Sequence, residues 1–256
     1  MLQVRRADGR FEERAETEWP LAGTRWTKFH LDAGVTGLSE PPPTADAALA
    51  FDAGGPGLTF LSAPLEKDTE ICGPSAMKLF VSSTTADADL FVVLRVFEPD
   101  LKELVFQGAI DPHTPIGQGW LRASHRKLDP ERTLPYRPYH SHDAIQPLEV
   151  GEIVELDVEI WPTSLVIPAG HRIGVTVRGR DYKYGGGTGG RQSNFKNEMT
   201  GCGPFLHDEP ANRPPGVYGG VTTLHFGPSQ PAHILLPVVP ARAGDALEGS
   251  GAHGRA

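Results

Sequence analysis

Apolar residues recur at every second position over many short runs of this chain, the signature of strands with one buried face. The clearest run is GEIVELDVEIW, where Val154, Leu156, Val158 and Ile160 fall on one side and Glu155, Asp157 and Glu159 on the other. Comparable runs bounded by Gly, Pro or Asp place strands at 58–62, 76–83, 90–98, 120–125, 153–161, 172–178, 221–226 and 233–238, after an extended first strand over 26–31. With almost no competing amphipathic helix, these runs predict an all-β, two-sheet sandwich. The PAG triplet at 168–170 reads as a tight turn, so a hairpin is expected to join the strand at 172–178 to the one before it.

Between 32 and 57 the backbone is punctuated by Pro41, Pro42, Pro43, Gly54, Gly55 and Pro56, which predicts a loop in which ADAALA at 45–50 forms at most one helical turn. Two further irregular stretches lie at 111–118 and 182–215, the second carrying GGGTGG at 185–190. The expected organisation is an N-terminal segment at 1–17, a sandwich domain at 18–240 and a disordered Gly-, Ala- and Arg-rich tail at 241–256.

Glycine (30) and proline (24) make up about a fifth of the 256 residues, against an average of about 12%, as a turn-dense β protein requires. A net charge of −8 without any basic stripe argues against a nucleic-acid surface. No run of 18 apolar residues points to a membrane span, and a cytoplasmic protein is expected. The two cysteines, Cys72 and Cys202, lack metal-ligand spacing and are read as buried free thiols.

Several separate strings carry a family resemblance: EWPLAGT at 18–24, LTFLSAPLEKDTEICGP at 58–74, LFVSSTTADADLFVVLRVFEPD at 79–100, GWLRASHR at 119–126, PLEVGEIVELDVEIWPTS at 147–164 and VIPAGHRIGVTV at 166–177. In order and spacing the chain resembles the C-terminal, noncatalytic domain of the cocaine-esterase (CocE/NonD), X-Pro dipeptidyl-peptidase, glutaryl-acylase and α-amino-acid ester hydrolase family. The resemblance implies a galactose-binding-like jelly roll packed on an α/β-hydrolase domain that bears the Ser, Asp and His triad, with no metal or organic cofactor. That catalytic domain would precede residue 1. One departure is Gly179, Arg180, Asp181 and Tyr182, which stand where many relatives carry a Ser-Asn-Phe-Pro run.

The residues themselves offer no catalytic apparatus. A serine hydrolase of this kind needs G-x-S-x-G on a strand-to-helix turn, and the nearest string, Gly73-Pro74-Ser75-Ala76-Met77, lacks the last glycine and reads as a turn serine beside Pro74. Ser124 and His125 are neighbours on an expected strand and so point to opposite faces. Asp87, Asp89, Arg122 and Arg126 sit in the most recognisable family strings and are expected to hold strands and loops together. Tyr139-His140-Ser141-His142-Asp143 has the residue types of a metal site but no further ligand at recognisable spacing, and Asp87 with Asp89 forms a weak calcium candidate. GGGTGG lacks the following Lys-Ser or Lys-Thr of a phosphate loop and reads as flexible. No catalytic, cofactor-binding or metal-binding residue is assigned.

The leading expectation is therefore an accessory domain that stabilises a hydrolase domain and helps wall its entrance. Trp19, Leu21 and Trp26 are expected to form part of the docking surface, which a homo-oligomer would otherwise cover. The rival reading is a free-standing module for a sugar or other small ligand, with Trp120, Tyr136, Tyr139, Tyr182 and Tyr184 as stacking platforms; a third is a self-assembling scaffold.

Overall fold

The alternating runs pair into one continuous sheet. A computed structural model describes residues 1–33, 36–187, 198–204 and 206–241; most of the expected disordered tail, and Thr188–Gly190 of GGGTGG, lie outside these. Fourteen strands follow in chain order: β1 (Leu2–Arg5), β2 (Phe11–Arg14), β3 (Arg25–Asp32), β4 (Gly37–Ser39), β5 (Ala47–Asp52), β6 (Leu58–Ser62), β7 (Thr69–Ser83), β8 (Asp89–Phe97), β9 (Glu103–Leu104), β10 (Gly117–Arg122), β11 (Val154–Ile167), β12 (Arg172–Arg178), β13 (Val221–Phe226) and β14 (His233–Val239). The single α-helix among the described residues is one turn at Pro215–Tyr218.

Along the sheet the order is β10-β8-β12-β6-β4-β3-β14-β7-β11-β1-β2. The sheet curls on itself into a sandwich, so that β10 at one end of this path lies across from β11 near the other. The long strand β7 is the spine: β11 runs antiparallel along one edge of it, while β13 and then β14 share the other. Inward side chains of both layers meet in a single large apolar core, with Phe60 and Phe226 packed edge to face at 5.6 Å. Burying each such side chain contributes about 1.5–3 kcal/mol.

Val154, Leu156, Val158 and Ile160 are all buried, as the alternation predicts. Their strand is longer than expected, because Ile160 faces Ser75 while Thr163 faces Gly73, so β11 carries one extra residue there. This bulge moves the inward set from even to odd numbers, and Leu165 and Ile167 resume the core face. The partner strand β7 also begins earlier than the pattern suggested, at Thr69. Gly73 and Pro74 had read as punctuation, yet the chain passes through them extended. The cost is local: the registers to β11 and to β14 both shift beside Pro74, which has no N–H to give to the ladder.

Four other expectations are corrected. Residues 45–50 are not a helical turn, because Ala47–Asp52 pairs in register with β13. The stretch 32–57 is therefore not simply a loop and also contains β4, paired with β3 and β6. No hairpin joins β11 to β12: β11 pairs with β7 and β1, whereas β12 pairs with β6 and β8, so the PAG turn carries the chain from one layer to the other. Finally, β10 ends at Arg122, and Ala123–His125 is a 3-10 turn rather than strand. The buried Asp87 carboxylate captures the Ser124 N–H at 2.9 Å and its hydroxyl at 2.6 Å, bending the chain away from the sheet.

The first residues form a β1–β2 hairpin, which bridges to β11 at Leu165 and is tied to β7 by a two-point ion pair of Arg14 with Glu70 (2.6 and 2.9 Å). Leu21 does not contribute to an exposed docking surface. It is buried in a small cluster with Cys72 and Val239, and Trp26 stacks on Tyr136 at 4.2 Å, so of the expected patch only Trp19 remains exposed.

Candidate functional site

The sandwich closes at a seam where β10 crosses close to β11, and two glycines make the approach possible. A side chain at Gly119 would place its Cβ 2.0 Å from the Glu159 carbonyl oxygen, and one at Gly117 would come within 3.1 Å of the Ile160 side chain. The neighbour at Gly119 is backbone and has little room to yield. Gly119→Ala is expected to cost about 1–3 kcal/mol, read as a lower urea midpoint with an altered tryptophan emission spectrum. An unchanged midpoint would mean that the two strands part freely.

Beside this seam lies a half-open cleft of about 640 Å³, within the range of about 300–1,000 Å³ usual for ligand sites. Trp120 of β10 and Trp161 of β11 form one corner, their ring centroids 5.1 Å apart and their planes at 72°. Trp161 sits at the β11 bulge and is 64% exposed. His125, His140, His142, Glu159 and Asn212 line other parts of the cleft.

One wall is braced by an ion cluster. The Asp89 carboxylate accepts two bonds from Arg122 (2.8 and 3.0 Å) and one from Arg213 (2.8 Å). Arg122 also donates to the Asn212 carbonyl and lies over the Tyr218 ring at 4.1 Å. Arg213 donates to the carbonyls of Gly179 and His207 and lies over Phe91. Arg126 bonds the carbonyls of Ala123 and Gln146. Tyr218 donates to Asp87 at 3.2 Å. These charged groups are bonded within the fold, tying β8 and β10 to the segment at 207–213.

The histidines approach one another without converging on a metal site. His125 Nδ1 and His142 Nδ1 are 3.1 Å apart, and the rings of His140 and His142 are 6.1 Å apart. Asp143 turns instead to Lys127 and Ser141, which hold its carboxyl at about 2. Among the described residues, no three His, Cys, Asp or Glu side chains come together as metal ligands. Burial, reinforced by the neighbouring His142, pushes the His140 imidazole below its ordinary value, and its buried Nε2 has no hydrogen-bond partner.

Ser75 is not a turn serine. It is fully buried in the middle of β7 opposite Ile160, its hydroxyl without a partner. Ser124 is spent on Asp87, and His125 faces His142 rather than a serine. The expected tyrosine platform does not form. Tyr136 stacks on Trp26, Tyr139 lies under Arg132, Tyr182 is buried and Tyr184 stacks on His113. Only Trp120 of that set lines the cleft, and its partner Trp161 was legible only as an aromatic on the polar side of β11. Cys72 and Cys202 are unpaired; Cys72 is buried, Cys202 only partly, and burial pushes the Cys202 thiol up to about 11.

These features define a β-sandwich module; its Ser82 hydroxyl lies 2.9 Å from His225 Nε2, but Ser82 stands within strand β7 and not on a G-x-S-x-G turn. The family model for the X-Pro dipeptidyl-peptidase C-terminal non-catalytic domain matches residues 1–235, and the chain belongs to that family. Among curated relatives, the cocaine esterase of a Rhodococcus strain is 25% identical over 267 residues, covering 89% of this chain and 40% of that protein. A CocE/NonD family hydrolase from Staphylococcus aureus superposes with a TM-score of 0.80 at 24% identity, covering 93% of this chain and 40% of that one. An α-amino acid ester hydrolase superposes at 0.55 with 18% identity, over 83% of this chain and 36% of its own. The chain thus spans about two fifths of the length of these relatives.

Proposed function

We propose that this chain acts by packing on an α/β-hydrolase catalytic domain, stabilising it and walling part of its active-site entrance, with residues 18–240 as the jelly-roll body. The match of nearly the whole chain to a non-catalytic domain that in its relatives forms part of a longer hydrolase supports this reading most strongly. The chemistry, ester or amide hydrolysis through an acyl-enzyme, then belongs to the partner's triad. Exposed Trp19 is one element of the docking surface. We place the complex in the cytoplasm, which the two unpaired thiols support. No helix among the described residues is long and apolar enough to cross a membrane.

A fluorophosphonate probe and p-nitrophenyl acetate test the assignment. The 256-residue chain is expected to take up no probe and to leave the ester intact, while co-expression with a G-x-S-x-G hydrolase domain yields a co-purifying, labelled partner. Stoichiometric labelling of the chain itself, abolished by substituting Ser75, Ser82 or Ser124, would overturn the reading.

A further inference from the structure

We propose that the cleft at the β10–β11 seam binds a neutral saccharide, with one sugar ring stacked on the exposed face of Trp161. This goes beyond the accessory role and does not rest on it.

The cleft's cations are not free for an anion. Arg122 and Arg213 are both committed to Asp89 and to backbone carbonyls, and His207 is held by Asp181 at 2.8 Å. What remains in the cleft without a partner among the described residues is the Glu159 carboxylate, the Asn212 side-chain amide and the two indole N–H groups.

The apolar part has a matching shape. Trp161 offers a broad flat face to solvent, and Trp120 stands almost perpendicular to it. A pyranose has one face of C–H groups that packs on an aromatic plane, with hydroxyls pointing outward from its rim. Such a ring on Trp161 would turn those hydroxyls toward the Glu159 carboxylate and the Asn212 amide that line the same cleft. The volume of about 640 Å³ accommodates one or two sugar rings. A quaternary ammonium ligand would also favour tryptophan faces, and Glu159 and Glu209 both line the cleft, so choline is titrated alongside the sugars as the competing ligand.

Calorimetric and tryptophan-fluorescence titrations of the 256-residue chain with methyl glucoside, methyl galactoside, methyl mannoside, maltose and cellobiose test this. At least one of these is expected to bind in the millimolar range or tighter, with affinity falling by about tenfold or more in Trp161→Ala and in Glu159→Gln. Trp161 is too exposed to support the core, so the Trp161→Ala variant is expected to keep the wild-type circular dichroism and urea midpoint. Absence of binding to all five sugars at tens of millimolar, undiminished binding by a folded Trp161→Ala, or a response to choline in place of the sugars would each overturn the proposal. Failure here leaves the hydrolase-docking experiment unaffected, because that one reads co-purification and serine labelling.

Discussion

Replacing Asp89 with alanine is expected to destabilise the fold by about 3–5 kcal/mol, the loss typical when one member of a buried ion cluster is removed and its partners stay behind. The Asp89 side chain is only 10% exposed and the Arg213 side chain 15%, so little water is on hand to take over their interactions. Without the carboxylate, Arg213 keeps only backbone carbonyls as hydrogen-bond acceptors, and Arg122 loses its two-point partner. The damage reaches three parts of the fold, since the cluster joins the start of β8, the end of β10 and the loop that closes the cleft. Asp89→Asn keeps a hydrogen-bonding oxygen but not the charge and is expected to fall between wild type and Asp89→Ala. Urea titrations at neutral pH decide the matter. A loss below about 1 kcal/mol, the range of exposed pairs, would show that solvent screens the cluster.

How much of this was legible in the sequence follows from which interactions are local. The β11 alternation is written in adjacent residues, and the strand formed with the predicted face buried. The first half of β7 was hidden because Gly73 and Pro74 carry strong turn propensity, and only pairing along both edges holds the chain extended through them. Residues 47–52 were hidden for a similar reason: alanine and leucine favour helix, and the strand exists because β13 lies alongside. The supposed β11–β12 hairpin shows a different limit. A tight turn reveals that the chain reverses, but not which neighbour each arm takes, and here each arm belongs to a different layer.

The cleft is non-local in the same sense. Its tryptophans lie 41 positions apart in sequence and meet because the curled sheet closes at glycines 117 and 119. Glycines in a strand often mark the close approach of another backbone, so GQGWLR carried a usable signal. The pairing of Asp89 with Arg122 was readable as a charge preference within family strings, whereas Arg213 enters from a loop with no periodic pattern. The histidine string 140–142 gave the residue types of a ligand set, but the fold diverts Asp143 to Lys127 and turns His142 to His125.

The strand register on which the seam depends can be tested at two neighbouring positions. Leu156 is buried in the main core, and its truncation to alanine is expected to cost about 2–5 kcal/mol through lost transfer energy and the cavity left behind. Glu155, one residue earlier, points the other way with 53% of its side chain exposed, and its partner Lys78 has a second carboxylate, Asp157, at 2.9 Å. Glu155→Ala is therefore expected to change stability by no more than about 0.5 kcal/mol, as is usual for surface sites. The contrast follows from the period of two in β11: a slip of one residue would exchange the two environments and place Glu159 and Trp161 inside the core. Denaturant titration of both variants is expected to lower the midpoint strongly for Leu156→Ala alone. Equal losses at the two positions would show that the register, and with it the position of Trp161 at the seam, is wrong.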